Sequence, residues 1–221
     1  MYRGSSLILQ FDYKIYIDLI ITKLPTSLSL DNIGDIGETF SKILEYFEEK
    51  KNEYKDKYSL PNPTATLATK ILMGIYGITP AFDRFFIDGI KTQLTDEAFC
   101  KIKPSMFTSK KEEDFKTAIN ALKEFINNNR IKEQTRKPNK ENSDQMQDYQ
   151  LPPMKIVDMY FWQLGYNAQI PKIEREIEKK GKVLEKIDKK TSPKDYNKTK
   201  TSLNNLKTKL QKLKAYGGEL E

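Results

Sequence analysis

Six residues near the end of the chain, Tyr196, Thr199, Leu203, Leu206, Leu210 and Leu213, recur at spacings of 3, 4, 3, 4 and 3. An α-helix turns once in 3.6 residues, so side chains at that alternation fall on a single stripe, the heptad seam of packed helices. A strand, with its period of two, would scatter them over both faces. A stripe this narrow needs one partner surface of its own kind. Such a surface stands just upstream, in Ile173, Ile177, Leu184 and Ile187. Thr191, Ser192 and Pro193 lie between the two, with Ser192 suited to cap a helix and Pro193 to open it. Gly217 and Gly218 end the second helix. The two stripes predict an antiparallel helical hairpin over residues 170–217.

Helical periodicity also governs the preceding residues. From Ile33 to Tyr58, Phe40, Ile43, Leu44 and Phe47 share a face before the segment turns highly charged, and Pro61 and Pro63 stop it. Thr64 can cap a short apolar helix from Ala65 to Tyr76. Gly77 and Pro80 break the chain, and another helix is expected from about Ala81 to Leu94. Ser109 with Glu112 reads as a capping box ahead of Phe115, Ile119, Leu122, Phe125 and Ile126. Pro152 and Pro153 introduce an aromatic helix bearing the only tryptophan, Trp162.

The first 25 residues carry two patterns. Ile15, Ile17, Leu19 and Ile21 alternate as a strand would, whereas Ile8, Phe11, Ile15 and Leu19 align along a helix. The helix is favoured, because no strand partner follows and a lone strand cannot satisfy its own backbone. The expected architecture is all-α: a multi-helix globular domain with a C-terminal antiparallel helical hairpin. Residues 1–130 form a helical core, 131–152 a polar linker or loop, 153–169 an aromatic helix packing back on the core, and 170–217 the hairpin. At 221 residues and 38% hydrophobic content, the chain has enough apolar material for such a core.

Several chemistries are excluded by composition. Histidine is absent, which removes imidazole as base, nucleophile or metal ligand, and with it the Ser-His-Asp and Cys-His mechanisms. Cys100 is the only cysteine, so the chain has no internal disulfide or thiolate cluster and suits a reducing cytoplasm. None of the ten glycines falls in a GxGxxG or GxxxxGK pattern. Glu45, Glu48 and Glu49 have helical spacing but neighbour Lys50 and Lys51, as on a solvated face. No metal or cofactor is therefore expected. Leu7 to Leu24 is the most apolar stretch, but Asp12, Lys14, Asp18 and Lys23 interrupt it, so neither a membrane span nor a signal peptide is expected.

The formal charge of +7 is confined to one end. Residues 171–221 hold 15 basic and 8 acidic side chains, while the first 170 residues hold 23 of each. Between Lys189 and Lys214 there are nine lysines and one acid, Asp195. This asymmetry points to a polyanionic partner, and Lys189, Lys190, Lys194, Lys198, Lys200, Lys207 and Lys209 are the candidate nucleic-acid contacts. Lysine lacks the planar fork of arginine, so the contacts expected are to backbone phosphate, non-specific and salt-dependent. The alternative reading is a non-catalytic scaffold that docks a protein partner, or a second copy of itself, through the heptad hairpin.

One further segment, residues 66–86 (TLATKILMGIYGITPAFDRFF), carries Thr69-Lys70 in an apolar helix and then Pro80-Ala81-Phe82-Asp83. Together with Asp158-Met159-Tyr160-Phe161-Trp162, it resembles the core of helix-hairpin-helix DNA glycosylases of the 8-oxoguanine type. The resemblance implies that Lys70 is an amine nucleophile forming a Schiff base with a sugar, assisted by Asp83. A lysine at the mouth of an apolar helix can be desolvated and lose its proton, which would permit that chemistry without histidine or metal.

Overall fold

Side-chain caps fix the starts of several helices, and tertiary hydrogen bonds move one of them. The computed structural model of the chain describes residues 13–55, 62–95, 97–131, 134–136, 149–187 and 192–217. Among these, α1 (Tyr13–Thr22) buries Ile15 and Leu19, so this part of the ambiguous N-terminal run is helical. Ile8 and Phe11 lie outside the described residues, as do Pro61, Thr191 and Gly218. In α2 (Ile33–Glu53) the Asn32 side chain accepts the Asp35 N–H, and Ile36, Phe40, Ile43 and Phe47 are fully buried. That helix ends at Glu53, short of the expected Tyr58, and no described position in it past Phe47 is buried; Tyr58 itself lies outside the described residues.

Thr64 caps α3 (Ala65–Tyr76) by accepting the Leu67 N–H, and Gly77 closes it at φ 67°, as the sequence predicts. The next helix differs from expectation. α4 is Arg84–Thr92, beginning three residues after Ala81. The Ala81 N–H is taken by Asp158 Oδ1 at 2.9 Å and the Phe82 N–H by Thr69 Oγ1 at 3.0 Å. The Ala81 carbonyl accepts from the Asp83 N–H at 2.7 Å and the Phe82 carbonyl from Thr66 Oγ1, so the acceptors that would open a helix at Ala81 are spent elsewhere and Asp83 becomes the N-cap. Two short 3₁₀ turns, Glu97–Phe99 and Pro104–Thr108, follow and bury Phe99 and Phe107.

α5 (Glu112–Asn128) buries the face the sequence assigned to it, but the Ser109 capping box does not form. Ser109 Oγ accepts the Lys111 N–H instead, and the Glu112 carboxylate accepts from Ser41 on α2 and pairs with Lys116. Residues Gln134–Arg136 (β1) and Tyr149–Leu151 (β2) pair as a two-stranded antiparallel ribbon within the 131–152 segment. The chain then runs through α6 (Pro153–Asn167), α7 (Gln169–Lys186) and α8 (Pro193–Gly217). The fold is all-α, with the ribbon as a small exception.

The core is rich in phenylalanine. Phe40 stacks on Phe115 with centroids 4.0 Å apart, and Phe82, Phe86, Phe99, Phe107, Phe125 and Phe161 continue the cluster. Its tightest element is the crossing of α4 and α6. A Cβ placed on Gly89 would overlap the Phe161 carbonyl, and one on Gly165 would overlap the Phe85 carbonyl. Each helix thus lays a glycine against the other's backbone, an approach no larger residue permits.

α7 and α8 form the antiparallel hairpin. Ile173, Leu203 and Leu213 are buried along the seam, with Ile177, Leu206 and Leu210 packed beside them. The base of the hairpin rests on Phe85, Trp162 and Tyr166, the last two stacked at 5.1 Å and 18°.

The crossing makes a sharp prediction. Gly89→Ala or Gly165→Ala should cost at least about 3 kcal/mol, because backbone must move to admit the methyl group. Gly181→Ala in α7 meets nothing within 4 Å. That control should be neutral or stabilising by about 0.5–1 kcal/mol. Urea unfolding of the three variants tests both expectations, and equal stabilities would refute the crossing.

Candidate nucleic-acid interface and adjoining cleft

The turn between α3 and α4 is held from two sides. Thr66 Oγ1 donates to the Phe82 carbonyl at 2.6 Å, Thr79 Oγ1 donates to the Thr69 carbonyl, and Thr69 is fully buried. Asp158 reaches across from α6 to the Ala81 N–H, and Gly77 fits against Pro152. With its polar groups satisfied, this turn forms one wall of an open cleft of ≈ 500 Å³, within the range of small-molecule sites. Met73, Ala81, Met159 and Trp162 give the cleft an apolar lining; Lys70, Asp83, Lys155, Asp158 and Gln163 supply its polar groups.

The structure therefore brings Lys70 and Asp83 together with Asp158 and Trp162, from two separate segments of the sequence. Their present duties differ. Asp83 Oδ1 accepts the Phe86 N–H at 3.0 Å as the cap of α4. Asp158 is buried, with Oδ1 on Ala81 and Oδ2 on the Lys155 ammonium at 2.9 Å. Lys155 also lies 3.6 Å from Met73 Sδ. Lys70 is half-buried and lines the cleft from the middle of α3, not from the mouth of a helix as the sequence suggested. Sequence reasoning did not select Lys155, Met73 or Gln163; the i, i+3 spacing of Lys155 and Asp158 was the one available signal for the first.

A second polar cluster fixes the hairpin to the body. Asp88 on α4 is buried and accepts from Gln169 Nε2 at 2.7 Å and Lys91 Nζ at 2.9 Å, with Lys172 at 3.5 Å. Burial alone would raise its carboxyl, but the Lys91 hydrogen bond and the charges of Lys91 and Lys172 outweigh it and hold Asp88 below the usual aspartate value. Gln169 and Lys172 belong to the first turn of α7, so this carboxylate ties the hairpin's root to the same helix that contains the Gly89 crossing.

On the hairpin itself, Lys194, Lys198, Lys200, Lys207 and Lys209 are all exposed on α8. Among the described residues none of the five makes an ion pair, whereas Lys182 pairs with Glu178 and Lys214 with Glu174. Lys212, which the sequence reading left out, is exposed in the same way. Lys189 and Lys190 lie outside the described residues. The heptad stripe faces α7, so the apolar surface that could have met a partner helix is used within the chain.

Among the described residues no group of three or more acids or thiols is placed to hold a metal ion, and no helix is long and apolar enough to cross a membrane. No family model, no curated protein and no solved structure matches this chain.

The Asp158 bridge can be tested on its own. Asp158→Ala leaves the buried Ala81 N–H without an acceptor and should cost about 1–3 kcal/mol. Asp158→Asn keeps an acceptor and loses only the partly exposed Lys155 pair, worth under about 1 kcal/mol. Denaturant unfolding that ranks the two variants equally would show that the bridge does not anchor the turn.

Proposed function

We propose that this is a nucleic-acid-associating protein whose partner is DNA, held through backbone phosphate by the lysines of α8. The observation that carries the reading is the exposed set Lys194, Lys198, Lys200, Lys207 and Lys209, which has no acidic partner among the described residues. Lysines held away from acids on one element of an otherwise charge-balanced chain form a local field that attracts polyanions. Docking of a partner protein through the heptad seam is the less favoured reading, because α7 already occupies that seam.

Ionic strength discriminates the two. Each phosphate neutralised should contribute about 0.9 to the slope of log affinity against log salt. Replacing the five lysines by glutamine should flatten that slope by four to five and weaken binding of a 20-bp duplex uniformly across sequences. An unchanged slope would remove α8 from the interface.

An enzymatic reading is favoured by a separate observation, the convergence of Lys70, Asp83, Asp158 and Trp162 on one cleft. In this reading the amine of Lys70 adds to the aldehyde carbon of an abasic sugar and water leaves, with Asp83 taking up and returning the proton. Borohydride would reduce the resulting imine to a stable secondary amine. Wild-type protein should then be trapped on abasic DNA and Lys70→Ala should not; absence of trapping in the wild type, or its persistence in the variant, removes the enzymatic reading.

A further inference from the structure

The seam residues of α8 face α7, which leaves the opposite side of a 25-residue helix turned to solvent. At 100° per residue, Asn197, Thr201, Asn204, Asn205 and Thr208 fall within an arc of about 100° centred directly opposite the seam. All five are exposed. Lys198 and Lys209 border this arc on one side, Lys200 and Lys207 on the other, and Lys194 and Lys212 stand at its two ends. The arc holds no acid; Asp195 sits nearer the seam.

This is not the composition of an ordinary solvated face. Exposed helix surfaces are usually built from lysine and glutamate in alternation, because both are good helix formers and pair at i, i+4. Asparagine and threonine are poorer helix formers, since their side chains compete for the backbone. Concentrating five of them along one ridge, with lysine on both sides and no glutamate, weakens the helix; the Thr208 hydroxyl donates back to the Asn204 carbonyl at 3.1 Å, and the exposed asparagine amides are the polar groups the ridge offers.

Resting on the reading of α8 as a DNA-binding element, we infer that this helix lies in the major groove of duplex DNA. Its asparagine–threonine ridge then meets base edges, and the two lysine rows meet the phosphates of the two flanking strands. The dimensions agree. A helix with its side chains is about 10–12 Å across, and the major groove of B-DNA is about 12 Å wide. Lysines on both sides of a ridge match two phosphate rows, whereas a single strand offers one. The deep, narrow major groove of an RNA duplex does not admit a helix. Within the groove, an asparagine amide can donate to N7 and accept from the N6 amino group of adenine, and threonine can use its hydroxyl on either base type or its methyl on thymine. Asn204 and Asn205 lie near the middle of the ridge along the helix axis and at its two edges around it, each beside a lysine row, and are the residues assigned to that contact.

Fluorescence anisotropy of the full chain with an adenine-containing 20-bp DNA duplex tests the inference. Methyl green, which occupies the major groove, should displace the protein, and netropsin, which occupies the minor groove, should not. Replacing adenine by 7-deazaadenine removes the N7 acceptor while leaving the phosphates in place, and should weaken binding by roughly fivefold or more. Asn204→Ala with Asn205→Ala should abolish that sensitivity and leave the salt slope unchanged, with circular dichroism showing α8 intact because alanine favours the helix. Binding that resists methyl green, ignores 7-deazaadenine and survives both asparagine changes would overturn the groove assignment while leaving phosphate association standing. Failure to bind any DNA at low salt would overturn the underlying reading as well.

Discussion

The close crossing of α4 and α6 is the constraint on which the other features of this protein depend. Gly89 and Gly165 let each helix approach the backbone of the other, so neither helix can rotate or slide without collision. That fixed register carries Asp158 to the Ala81 N–H and Phe161 into the aromatic core. It also sets Asp88 where Gln169 and Lys172 of α7 can reach it. The cleft and the root of the hairpin therefore have one origin. Trp162 stands between them, lining the cleft on one side and packing against the hairpin's base on the other.

Much of the helical plan was legible because it rests on periodicity and on caps that act locally. The Thr64 cap, the αL glycine at 77 and the heptad stripe of α8 are short-range signals, and the structure repeats each of them. The start of α4 was misplaced for the opposite reason. The Phe82 carbonyl that would have served a helix begun at Ala81 is taken by Thr66 in the preceding helix, and the Ala81 N–H is held by Asp158, 77 residues away. No local pattern announces such competition. The glycine pair shares this property: a glycine in an apolar helical run signals close approach, but its partner surface is known only once the helices are packed.

The candidate sites divide along the same line. The lysines of α8 were legible because charge asymmetry is a property of composition, and helical periodicity alone places them outside the seam. The cleft was only half visible. Lys70, Asp83, Asp158 and Trp162 could be picked out in separate segments, whereas Met73, Lys155 and Gln163 join them through tertiary packing. The hairpin differs from the body in its material as well. The body is closed by large aromatic side chains, while the hairpin past its base relies on a narrow leucine stripe. A thin, strongly basic arm rooted in a rigid body can present a long outward surface while its lysines stay separated from the body's acids.

Amide hydrogen exchange, followed residue by residue with and without a DNA duplex, tests this division of labour most directly. Exchange by global unfolding should make the amides of α4 and α6 around Gly89 and Gly165 the slowest in the free protein, with α8 opening more readily. Duplex should then slow exchange along α8 while leaving α4 and α6 unchanged. Duplex-induced protection confined to the body, or amides of the α4–α6 crossing that exchange faster than those of α8, would contradict the account.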